Sequence, residues 1–102
     1  MKATMKPTCD EILAVMNEIG TSITVKKLGN VHSACTQDYQ LSNGWQIRIF
    51  DECSSEWDYL EAVKPKNGEW VDLYDDEHGD FYDPIMNHYS PSAATLEALS
   101  LT

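Results

Sequence analysis

Positive charge is what this chain has least of. Seven Lys and Arg stand against 17 Asp and Glu in 102 residues, a formal net charge of −10. Proteins that bind nucleic acid directly are normally basic, so the composition sets that class aside. Long apolar runs are missing too, and nothing approaches the roughly 18 residues of a membrane-spanning helix. The polar, basic start Met1-Lys2-Ala3-Thr4-Met5-Lys6-Pro7-Thr8 leads into no apolar stretch of signal-peptide length, so export is not expected. Cysteine is sparse, with Cys9, Cys35 and Cys53. An odd number with no pairwise spacing motif does not read as a disulfide framework, so a cytoplasmic chain without a structural disulfide is expected. No phosphate-cradling glycine loop, dinucleotide fingerprint or nucleophile elbow is present.

The acid that is present is concentrated. Residues 1–50 hold four acids and five bases, and residues 84–102 hold only Glu97. Residues 51–83 hold twelve acids against Lys64 and Lys66, a local net of −10. The same stretch carries Trp57, Tyr59, Trp70, Tyr74, Phe81 and Tyr82. A disordered acidic tail would lack such aromatics, so this is a folded acidic region. With 42% hydrophobic residues, the whole of 1–102 reads as a single acidic domain with one core.

Local patterns predict its elements. Thr8-Cys9-Asp10-Glu11 fits a capping box, and Ile12, Val15, Met16 and Ile19 then recur on one helical stripe before Gly20, which predicts a helix over 9–19. Alternation predicts strands over 22–28, 34–41, 45–52, 56–63 and 69–75. Gly29-Asn30 and Asn43-Gly44 read as hairpin turns, and 64–68 as a further turn. Glu61 breaks the parity of its strand and signals a bulge or an edge. Asp83-Pro84 reads as a turn, and Ser90-Pro91 as the start of a short helix over 91–100. The expected fold is α+β: a twisted antiparallel sheet of about five strands, with the N-terminal helix on one face and a short C-terminal helix. The expected core is Ile12, Val15, Met16, Ile19, Ile23, Val25, Tyr39, Leu41, Ile47, Ile49, Val71 and Leu73.

Few residues combine into a chemical motif. Aligning Gly79 as the sixth position of a calcium loop puts Tyr74, Asp76 and His78 at the first, third and fifth, where carboxylates belong at all three. His32-Ser33-Ala34-Cys35 has no second pair to complete a zinc site. Cys9 sits at a helix N-terminus, a setting that favours thiolate, but nothing around it makes a mechanism. No cofactor, metal site or catalytic residue is therefore assigned.

The feature that stands out is the outward parity of strand 69–75. Trp70 and Tyr74 flank Asp72 there, opposite the inward Val71 and Leu73. With Glu56, Asp58, Asp75, Asp76, Asp80 and Asp83 they make a candidate partner-binding face, unless segment 81–100 folds over it and buries Trp70. The expectation is a non-enzymatic binding protein. Its partner would be a basic, nucleic-acid-handling protein, with carboxylates standing in for phosphates and aromatic rings for bases. Inhibitors and nucleic-acid mimics of phages and other mobile elements work in this way. The alternative from a different class is a small metal-dependent enzyme or cation-binding domain built on the acidic loop 75–83.

Overall fold

The capping box at Thr8 forms as its residue types require. Glu11 N–H donates to Thr8 Oγ1 at 3.1 Å, and Thr8 N–H donates to Glu11 Oε1 at 2.9 Å. They open helix α1 (Cys9–Glu18) in a computed structural model that describes residues 6–51, 56–74 and 81–101. The helix ends where Ile19 turns extended and Gly20 takes a φ of +96°. Five strands follow: β1 (Val25–Gly29), β2 (Thr36–Leu41), β3 (Gln46–Phe50), β4 (Tyr59–Lys64) and β5 (Val71–Asp72). They pair in chain order, each antiparallel to the next. Two short helices close the described chain, α2 (Asp83–Met86) and α3 (Ala93–Leu99). The α+β class, the five-stranded antiparallel sheet and both terminal helices are as expected.

Period-2 alternation sorts the sheet into two faces. Ile47 and Ile49 of β3, Tyr39 and Leu41 of β2, Leu60 and Val63 of β4 and Val71 of β5 point inward and are buried. Against them pack Ile12, Val15 and Met16 of α1, then Tyr82, Ile85 of α2, and Leu99 and Leu101. All three helices therefore lie on one side of the sheet, and α2 and α3 do not fold over the outward face. Polar pegs fix this layer. Tyr39 Oη donates to the Leu99 carbonyl at 2.7 Å, and Tyr82 Oη to the Pro7 carbonyl at 3.0 Å. Thr95 Oγ1, on α3, donates to the carbonyls of Ile19 and Met16 at 3.1 and 3.3 Å, which ties α3 to the C-terminal end of α1.

Several expectations need correction. Gly29-Asn30 is not a two-residue turn: residues 30–35 intervene, with the Asn30 amide donating to the Thr36 carbonyl. Asp83-Pro84 opens a helical turn, because proline is tolerated in the first turn and Ile85 gains a buried position. The last helix is capped by Ser92 rather than Ser90, with Thr95 N–H donating to Ser92 Oγ at 3.1 Å. Val25 is only half-buried, and the core also takes Leu60, Ala62, Val63, Tyr82, Ile85, Leu99 and Leu101. Cys35 is disulfide-bonded and Cys9 is free. That corrects the expectation of a chain without a disulfide and removes the ground on which a reducing compartment was expected. No helix among the described residues is long and apolar enough to cross a membrane.

Candidate functional site

The outward face of the sheet starts from one irregularity. Ile49 pairs with Leu60 and Arg48 with Ala62, so Glu61 is an extra residue in β4, as its broken parity signalled. The bulge lets Tyr59 point outward while Leu60 and Val63 both stay in the core. Tyr59 then stands beside two other outward aromatics. Its ring stacks on Phe50 of β3 at 4.9 Å between centroids and meets Tyr74, just beyond β5, at 4.7 Å. Three aromatic rings thus form a row across three neighbouring strands.

Carboxylates ring the far end of that row. Tyr74 is 39% exposed. Its phenol is pushed up from the ordinary tyrosine value, first by burial, then by Tyr59 and the carboxylates of Asp58, Asp72 and Glu61. Tyr74 N–H donates to Asp72 Oδ1 at 2.8 Å, which fixes that carboxylate next to the ring. Glu61 also faces His32 of the β1–β2 connection, with Nε2 and Oε2 4.0 Å apart.

Next to the row lies an arginine held on two sides. Arg48 Nε donates to Asp38 Oδ1 at 2.9 Å, and Nη2 to Asp38 Oδ2 at 3.0 Å, a bidentate pair. Its guanidinium carbon lies 4.1 Å from the centroid of the Trp70 ring. Its cross-strand neighbour on β4 is the small Ala62. Trp70 is thus half-buried under Arg48 rather than under the C-terminal segment.

Of the residues expected on the face, Asp58, Asp72 and Tyr74 come together, and Trp70 stands two residues before Asp72, against Arg48. Glu56 is exposed in the segment ahead of β4. Asp83 lies elsewhere, at the start of α2, where its carboxylate accepts from the Asn87 amide and stands 3.9 Å from His88 Nε2. Asp75, Asp76 and Asp80 lie outside the described residues, as does most of loop 75–83 on which a cation site would rest. Among the described residues no group of three or more His, Cys, Asp and Glu is arranged to hold a metal ion. Sequence reasoning missed Phe50, Tyr59 and Glu61 as parts of this face. Phe50 does fall on the outward parity of its strand, but Tyr59 is outward only because of the bulge.

Cys9 departs from expectation. Burial, helped by Asp10 and Asp83, pushes its thiol up, and Sγ donates to the Phe81 carbonyl at 3.0 Å. It is a packed thiol, not an activated one.

Comparison with protein-family models, curated proteins and solved structures yields no match to this chain.

Proposed function

We propose that this protein is a non-catalytic acidic binding module, an inhibitor or nucleic-acid mimic that occupies the cationic surface of a basic, nucleic-acid-handling partner. One observation carries the reading. The sheet face away from the helices presents a row of aromatic rings whose exposed end, Tyr74, is bordered by Asp58, Glu61 and Asp72. A cationic groove built for nucleic acid expects negative charge at a surface and flat π-faces beside it. Carboxylates and tyrosines on a sheet supply both. The net charge of −10 also steers encounter with a basic surface over a range set by the Debye length, about 8 Å at physiological ionic strength.

The two ingredients separate in a mutant series. A partner captured from a low-salt lysate should associate more slowly with Asp58→Lys and Asp72→Lys, and with a flatter salt dependence. Tyr74→Ala should mainly speed dissociation, at a cost on the order of 2 kcal/mol. A partner that binds all three variants as tightly as the parent chain would show that this face is only a solvated surface.

A further inference from the structure

We propose that the side chain this face takes from its partner is an arginine, its guanidinium laid on the Tyr74 ring and paired with the carboxylates of Asp72 and Asp58. The inference rests on the binding reading above and narrows it. Its warrant is chemistry the same face already performs. Arg48 is held with its fork on the Asp38 carboxylate at 2.9 and 3.0 Å and its guanidinium carbon over the Trp70 ring, 4.1 Å from the centroid. That combination of carboxylate and aromatic face suits a planar, weakly hydrated guanidinium better than a compact ammonium. The same two ingredients recur at Tyr74, this time at the surface. Tyr74 is 39% exposed, its ring is backed by Tyr59 at 4.7 Å, and Tyr59 is itself stacked on Phe50 at 4.9 Å. The ring is therefore held in place before any ligand arrives, which reduces the ordering cost of binding. Asp72 is equally pre-set, its Oδ1 accepting from the Tyr74 amide at 2.8 Å, which leaves Oδ2 for a donor from outside. Charge complementarity sets the sign of the occupant, and the ring beside the carboxylates sets its shape.

The test uses the whole protein and two capped peptides, octa-arginine and octa-lysine, followed by NMR at low salt. Octa-arginine should bind about threefold or more tightly than octa-lysine, with the Tyr74 and Tyr59 ring resonances and the Asp72 amide moving together. Tyr74→Phe should keep that preference, because the π-face remains. Tyr74→Ala should bring the two peptides close to equal affinity. Equal affinity in the parent chain, with both peptides lost on Asp72→Lys, overturns the arginine assignment and leaves the basic-partner reading standing. A preference that survives Tyr74→Ala, or parent-chain Tyr74 resonances that stay still on binding, overturns the assignment to this ring. Failure of both peptides to bind overturns the assignment and the reading beneath it together.

Discussion

Tyr89 carries a buried hydroxyl that finds no hydrogen-bond partner among the described residues. Its ring meets Trp57 edge-on at 5.8 Å, so the residue contributes packing while its oxygen loses water and gains nothing in return. Removing that oxygen should therefore not destabilise the fold. Tyr89→Phe is expected to match the parent chain at pH 7 or to exceed it by on the order of 1 kcal/mol. Alkali gives a second readout. Burial pushes the Tyr89 phenol up to about 12 from its ordinary 10. The folded state keeps this proton after the unfolded chain has begun to release it. The stability this group contributes is thus complete below pH 10 and is lost as pH rises from there to about 12. Tyr39, Tyr74 and Tyr82 are shifted in the same direction, so the parent chain should weaken steadily over that window. Tyr89→Phe should weaken less steeply. Denaturant midpoints measured from pH 9 to 12 check both points, and a variant that loses stability at pH 7 would mean the hydroxyl is satisfied after all. Tyr39 is the contrasting case, since its hydroxyl donates to the Leu99 carbonyl at 2.7 Å and is needed there.

Between elements, two junctions set how the sheet and helices fit. The first is the Arg48–Asp38 pair that joins β3 to β2 on the outward face. Asp38 is 1% exposed, so removing its partner strands a buried carboxylate. Arg48→Ala should cost about 3–5 kcal/mol and loosen Trp70 as well, whereas Arg48→Lys keeps the charge but not the fork. Thermal melts beside Trp fluorescence would show both effects, and an unchanged melt for Arg48→Ala would mean Asp38 finds another donor. The second junction is Gly20, between α1 and β1. Its φ is +96°, and an added Cβ would sit 2.5 Å from the Ala94 carbonyl oxygen. Gly20→Ala combines a disfavoured backbone with a clash against α3, so it should cost more than the roughly 1 kcal/mol of conformational strain alone. A melting temperature equal to the parent's would refute that close approach. The same elements show what could be read in advance. The capping box, the helical stripe and the parity of Trp70, Asp72 and Tyr74 are local patterns, and each was legible. The bulge was legible too, because a charged residue broke an apolar alternation. Its consequence was not: Tyr59 shares parity with Val63, and only the register with β3 shows that they face opposite sides. The Cys35 disulfide was hidden for the same reason, since it depends on contacts between distant parts of the chain. Ser92 shows a smaller failure, in which two serines compete for one cap and the proline between them favoured the wrong one.

At the scale of the whole molecule, the charge is poorly compensated. Seventeen acids face seven Lys and Arg, and twelve of those acids lie in residues 51–83. Among the described residues three ion pairs form, and two of them depend on the protonation of His32 and His88, side chains 53% and 73% exposed. Of these three, Arg48–Asp38 is both permanent and shielded, and a buried pair of that kind is screened little by salt. With a net charge of −10, the salt-sensitive part of the electrostatics is dominated by repulsion among exposed carboxylates, which destabilises the compact state. Added salt should relieve it. Raising NaCl to about 0.2 M at pH 7 brings the Debye length below ~8 Å, which should raise the melting temperature. Two controls separate screening from other effects. KCl at the same ionic strength should act like NaCl, and Asp58→Asn and Asp72→Asn should raise the low-salt melting temperature while reducing its response to salt. A melting temperature that falls with salt would mean that attractive pairs outweigh repulsion. The acidic face would then be a stabilising network, not a surface held at a cost in stability for a basic partner to neutralise.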